Sequence, residues 1–202
     1  MPLADPKPRS WFEEWREPGE FYRAANEGLQ TFFCTDTTPE PYLRDAYHAG
    51  VFARIWRDDQ GPCEVRLVPE PEKFPDAQLR SESGDTCLDI EITIARKKGS
   101  RMFKELRELR ELGFVPAESL EELQASAREA IPRVVKEKAD KRYSESKDIT
   151  LLVITNGSLS AEEMARLTEP WKNCFHAICL LSLMDVVMAW PELCVLSGKE
   201  PF

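Results

Sequence analysis

A mixed α/β sandwich is the fold class that this 202-residue sequence predicts. Three observations predict it. Residues 86–95 alternate Leu88, Ile90, Ile92 and Ile94 against Asp89, Glu91 and Thr93, the period of a half-buried strand. Residues 149–155 form a short apolar run closed by Asn156 and Gly157, the pattern of a strand buried on both faces. Around these strands lie segments with helical spacing and cap residues, so helices and strands alternate along the chain.

Taken in order, residues 1–40 read as a proline-punctuated arm carrying Trp11, Phe12, Trp15, Phe21, Tyr22, Phe32 and Phe33, with one short helix near 20–29. Pro41 opens a helix over 41–57, in which Leu43, Tyr47, Val51 and Ile55 recur near helical spacing. Asp58 to Pro62 is a turn. Residues 63–68 and 74–81 are strand-like, and Ser83-Gly84-Asp85 is a turn signal before the strand at 86–95. Residues 63–95 therefore read as three antiparallel strands.

Beyond them, residues 101–112 present Phe103, Leu106, Leu109 and Leu112 as one helical side, with Gly113 as a C-cap. Ser119 and Glu122 form a capping-box pattern opening a second helix, which Pro132 should kink or interrupt, with a second helical piece running to about residue 144. After the strand at 149–155, Ser160 and Glu163 repeat the cap before a short helix to Leu167. The apolar runs at 175–184, 186–190 and 193–196 predict one or two final strands. The order is helix, three strands, helices, strand, helix, strand. It gives a single domain over 1–202, with the arm at 1–40, a core at 41–157 and a C-terminal extension at 158–202 completing the sheet.

Hydrophobic residues make up 42% and charged residues 31%, a balance that excludes a disordered chain. The apolar runs at 177–184 and 186–190 fall short of the roughly 20 residues of a membrane-spanning helix. No basic flank precedes an apolar run near Met1, and the six cysteines contain no C-x-x-C pair. Reduced thiols in a cytoplasmic protein are the expectation. With only His48 and His176 available, a structural zinc site is not expected. A catalytic Cys174–His176 pair is a minor alternative to the ordinary reading of cysteine as a small buried hydrophobe.

The sharpest chemical feature is Asp89-Ile90-Glu91. Carboxylates two apart on a strand point to the same side, about 6–7 Å apart, and repel unless solvent or a cation intervenes. Mg²⁺ suits that arrangement, since it takes a few carboxylates plus waters and phosphate oxygens. Asp76 precedes Asp89 across the predicted hairpin turn, so antiparallel pairing brings it beside Asp89 and Glu91. The competing reading is a solvated sheet face in an unrelated α+β protein.

These residues resemble the PD-(D/E)XK nuclease superfamily: a helix, a hairpin carrying Phe74-Pro75-Asp76, a strand with Asp89-Ile90-Glu91, helices over 101–144 and the strand ending at Thr155 and Asn156. The resemblance covers about residues 40–157, and its weight lies in the order of short motifs. It implies a restriction-endonuclease-like mixed sheet flanked by helices and Mg²⁺- or Mn²⁺-dependent cleavage of nucleic acid, DNA above all. In that superfamily two acids hold the metal and a lysine positions the attacking water. By resemblance Asp76 and Asp89 take the metal, and Glu91 stands where the lysine belongs, completing the metal shell or accepting the water's proton. If Glu91 is instead the second acid, Thr93 is the third position and the strand offers no catalytic group there. Members also draw an acid from the first helix, for which Glu40 and Asp45 are the candidates. A catalytically inactive binding protein of the same fold, with a partner or second copy docked on the apolar tail or aromatic arm, is the alternative.

The net charge of −9 excludes a protein that coats nucleic acid non-specifically. That acidity is uneven: residues 97–147 hold 13 Lys and Arg against 10 Asp and Glu, so this stretch is net positive. Its densest basic run, Lys97, Lys98, Arg101 and Lys104, begins where the acidic strand ends. A basic edge beside carboxylates is the arrangement phosphate binding uses, and these four are the expected nucleic-acid contacts.

Overall fold

The computed structural model describes residues 5–34, 39–72, 74–84, 87–96, 119–141, 148–157, 159–182 and 193–198, with the side chains of 32–34 and 193–198 left aside. The expected helix at 101–112, the run at 186–190 and the four basic residues Lys97, Lys98, Arg101 and Lys104 lie outside the described residues. Among the described residues no helix is long and apolar enough to cross a membrane.

The protein is a mixed α/β structure with one six-stranded sheet in the order β1-β2-β3-β4-β5-β6. The strands are β1 (Cys63–Leu67), β2 (Ala77–Ser81), β3 (Cys87–Ala95), β4 (Ile149–Thr155), β5 (Ala177–Ser182) and β6 (Leu193–Gly198). Pairing is antiparallel across β1, β2 and β3, parallel from β3 to β4 and β4 to β5, and antiparallel again at β6. Strand β3 is thus the member on which the antiparallel hairpin meets the parallel half.

Helices α1 (Arg9–Phe12), α2 (Pro18–Cys34) and α3 (Pro41–Gln60) cover one face, and α4 (Leu120–Asp140) and α5 (Ala161–Thr168) the other. On the first face, Leu88, Ile90 and Ile92 of β3 join Phe12, Phe21 and Phe52 in one apolar cluster. On the second, Leu151 and Val153 of β4 pack with Ile131, Val134 and Val135 of α4. The alternation of β3 and the wholly buried pattern of β4 follow from this layering.

The N-terminal segment is more than an arm. Where the sequence suggests a short helix near 20–29, α2 runs from Pro18 to Cys34, and Phe12 and Phe21 are fully buried. The reason is the helix–helix contact with α3: at Gly50 an added Cβ would meet the Tyr22 Cα at 2.9 Å, so the two backbones nearly touch. Arg16 also exchanges backbone hydrogen bonds with Val65, adding a bridge at the edge of β1.

Pro132 does not interrupt α4, which is continuous from Leu120 to Asp140. An interior proline costs about 3 kcal/mol in an isolated helix. Here Ile131, Val134 and Val135 flank it and are pressed onto the sheet, so burial offsets the lost hydrogen bond. Both expected N-caps are present: the Ser119 hydroxyl accepts from the Glu122 N–H, and the Ser160 hydroxyl from the Glu163 N–H. Residues 74–76 are a bend rather than the start of a strand, and β2 begins at Ala77.

The loop leaving β4 sets how closely α4 lies on the sheet. A Cβ at Gly157 would sit 2.6 Å from both the Ala127 Cβ and the Leu123 carbonyl oxygen. Gly157→Ala is therefore expected to lower stability by about 1–3 kcal/mol in chemical denaturation, because a helix backbone must move to admit one methyl.

Candidate functional site

The ladder between β2 and β3 sets Ala77 beside Ile90, so Asp76, one residue before the strand, is level with Glu91 rather than with Asp89. The Asp76 carboxylate takes over where the backbone ladder ends: its Oδ2 accepts the Ile92 N–H at 2.7 Å. Its own carbonyl accepts the Val68 N–H at 3.2 Å. Both bonds fix Asp76 at the entry of β2, against the end of β1.

Glu91 points to the α4 face, where it is 4% exposed. Its charge is met by Lys138 in the last turn of α4, whose Nζ donates to Glu91 Oε1 with only 15% of the lysine side chain exposed. A second tie runs parallel to it: Arg133 donates to the Arg96 carbonyl oxygen at 2.6 Å. α4 is therefore fastened along β3 at two points, five residues apart on both the helix and the strand.

Burial pushes the Asp76 carboxyl up to about 6, and the neighbouring negative charges of Glu91 and Asp45 push the same way. The Ile92 N–H and Lys138 oppose the rise. Asp45, on α3, is also raised by burial, with Arg44, Arg9 and Lys138 acting against it. One ammonium thus acts on three carboxylates carried by α3, the residue before β2, and β3. Asp45 and Asp76 share the wall of a cleft of about 380 Å³ that Arg9, Val68, Glu70 and Pro75 help to line.

Asp89 is placed apart from this group. It is half-buried, and its Oδ1 accepts from Gln78 Nε2 at 2.8 Å. Gln78 Oε1 in turn accepts both Nε and Nη2 of Arg66, at 3.0 and 2.7 Å. Trp15 lies over this polar strip, with the Arg66 and Arg80 guanidinium carbons 4.5 and 4.2 Å from its ring centroid. Arg80 pairs with Glu64, whereas Arg66 has no carboxylate partner among the described residues.

Of the sequence candidates, the structure brings Asp76, Glu91 and Asp45 into one electrostatic group and ties Asp89 to Gln78. Glu40 sits at the N-cap of α3 with no side-chain cap bond. Thr93 follows Glu91 on the same face of β3 and carries no charge. The sequence does not single out Arg66, and it offers Lys138 only as one of a second basic group with Arg133, Lys136, Lys141 and Arg142. Lys138 falls in a mixed-charge helical run that reads as solvated, and its partner is 47 residues away. The Cys174 N–H donates to the Trp171 carbonyl and the His176 N–H to the Ile149 carbonyl of β4, and no thiol–imidazole hydrogen bond links them among the described residues.

Mg²⁺ asks for hard oxygen donors, with one or two carboxylates sufficient when waters and phosphate complete the shell. Asp76 and Glu91 match that donor chemistry, with Asp45 nearby. Among the described residues no three His, Cys, Asp or Glu side chains gather as a ready-made metal cage. Comparison with family models, curated proteins and solved structures finds no match to this chain.

His48, one turn beyond Asp45 on α3, is 4% exposed, and its Nδ1 takes no hydrogen bond within the described structure. Burial first, then the positive Arg44 and Arg96, pushes its pKa down to about 3. The folded protein keeps this imidazole neutral, while the unfolded chain protonates it near 6.5. Its stabilising contribution is complete above pH 6.5 and is lost as pH falls from there toward 3. Relative to His48→Leu, the wild type is expected to lose about 2 kcal/mol of stability between pH 7 and 5, measured by denaturant titration at both pH values.

Proposed function

We propose that this chain is a Mg²⁺-dependent nuclease that hydrolyses phosphodiester bonds of DNA on a restriction-endonuclease-like fold. The observation that carries the reading is the pairing of Asp76 with Glu91 on adjacent strands, under a lysine and beside a cleft. The element order supports it: a helix, three antiparallel strands, a helix, a parallel strand, a helix and a second parallel strand.

Asp76 and Glu91 are the residues that would hold the cation, with Asp45 contributing through water. When bound, the cation supplies Lewis-acid polarisation of the phosphate and a lowered pKa for a bound water. Asp76 is well suited to this because like charge and burial already disfavour its bare carboxylate, and both penalties shrink beside a positive charge. Lys138 supplies from α4 the amine that position 93 does not, and its three donors can reach a phosphate oxygen or orient a water. Arg9, on the wall of the same cleft, is paired with Glu13 and Glu70 and would exchange these partners to meet a neighbouring phosphate. Arg66 extends the contact along the β1–β2 face, where its charge has no acidic partner among the described residues.

A second reading, a binding protein of this fold without catalysis, is favoured by Thr93 and by the absence of a three-residue cage among the described residues. A nicking assay on supercoiled, linear and single-stranded DNA with Mg²⁺ or Mn²⁺ separates the two. The nuclease reading expects cleavage that falls at least about 100-fold in Asp76→Asn. Uncut substrates of every form, with the metal bound, leave the binding protein.

Arg66→Ala is expected to weaken oligonucleotide binding in Ca²⁺ and to reduce the slope of log affinity against log salt by about 1, measured by fluorescence anisotropy. An unchanged slope removes Arg66 from the interface.

A further inference from the structure

We propose that Lys138 is an exchangeable counter-ion: its ammonium holds Glu91 in the unloaded protein, and a divalent cation displaces it, releasing the amine toward the cleft. This rests on the reading of Asp76 and Glu91 as metal-holding residues.

Three observations carry it. First, Lys138 and Glu91 form an ion pair with side chains only 15% and 5% exposed, so water gives Glu91 little alternative neutralisation. Second, the same ammonium acts on Asp76 and Asp45 as well as pairing with Glu91, so one positive charge is shared among three carboxylates. Arg44 and Arg9 also act on Asp45, whereas among the described residues Lys138 is the cation found to act on Asp76. Third, β3 offers the uncharged Thr93 where a second cation could have stood on the same face.

A doubly charged ion on Glu91 and Asp76 would neutralise this group better than one ammonium does. The two cations cannot share Glu91 closely, because like charges in a site of low polarity repel strongly. The lysine is the one that can leave. Its charge sits on a flexible four-carbon stem and its donors rotate, so the head can move while the stem stays against β3. The C-terminal end of α4 favours a cation nearby, and the Lys138 charge already bears on Asp45 and Asp76 of the cleft wall. Loading the metal then also delivers the amine.

The test measures Mn²⁺ binding by titration calorimetry on the whole chain as wild type, Lys138→Met and Lys138→Arg. Removal of the competitor is expected to tighten Mn²⁺ binding in Lys138→Met by roughly tenfold or more, while Lys138→Arg stays near wild type. Circular dichroism confirms that each variant is folded. A second measurement needs no variant: acylation of Lys138 in the wild type, read by mass spectrometry, is expected to rise several-fold when saturating Mg²⁺ is added. Equal or weaker Mn²⁺ binding in folded Lys138→Met overturns the proposal while the metal reading stands. If Lys138→Met does not fold, unchanged acylation in Mg²⁺ overturns it. Failure of the wild type and both variants to bind Mn²⁺ removes the metal reading and the proposal together.

Discussion

The burial of Glu91 beneath α4 is the constraint on which the rest of the arrangement depends. An ionised carboxylate removed from water is tolerated only with a close counter-charge, and Lys138 supplies it. That requirement ties the last turn of α4 to the middle of β3, while Arg133 ties an earlier turn to the end of the same strand. With the helix held along β3, the apolar side of α4 meets Leu151 and Val153 on the neighbouring strand. The close approach of Gly157 to Leu123 and Ala127 then seats the other end of the helix. A buried pair of this kind adds little net stability compared with apolar packing, so its value lies in register and chemistry.

Strand β3 explains why acids on one face meet such different surroundings. Its β4 edge belongs to the parallel half of the sheet, which α4 covers; its β2 edge belongs to the antiparallel hairpin, where Trp15 provides the cover. Glu91 falls under the helix and becomes nearly inaccessible, while Asp89 stays half-buried in a relay with Gln78 and Arg66. Asp76 enters because β2 starts at Ala77, leaving the Ile92 N–H for a side chain to satisfy. One carboxylate therefore both ends a ladder and borders the cleft.

Those local rules decide what could be read before any coordinates. The alternation of β3, the apolar run of β4 and the serine caps depend on neighbours in sequence, and each element appears near its expected place. The proximity of Asp76 to the D-x-E strand followed from the hairpin turn, but its level did not. A shift of two residues in an antiparallel register exchanges Asp89 for Glu91 while preserving the face, so alternation cannot choose between them. Lys138 was illegible for a related reason. Its spacing to Glu91 depends on how a crossover helix lies along the strand, and the surrounding Lys136, Glu137 and Asp140 look like an ordinary solvated face. Pro132 misled because a helix-propensity cost of about 3 kcal/mol is small beside the burial of three aliphatic side chains. Likewise, α2 gains its length from contact with α3, which prolines and aromatics alone do not reveal.

Net charge, which at −9 argues against nucleic acid, acts at a different scale from the chemistry of the site. Screening confines exposed charges to about 8 Å at physiological ionic strength, so distant surface acids contribute little at the cleft. What matters there is the local sum, in which Asp45, Asp76, Glu91 and the wall residues Glu70 and Glu72 outweigh Lys138, Arg9 and Arg44. A polyanion approaching such a group would be repelled unless positive charge entered with it or before it. The acidity that excludes a coating protein is thus compatible with the proposed phosphate chemistry when a divalent cation offsets the local negative charge. Under the proposed function, cation loading and nucleic-acid engagement would be parts of one electrostatic event.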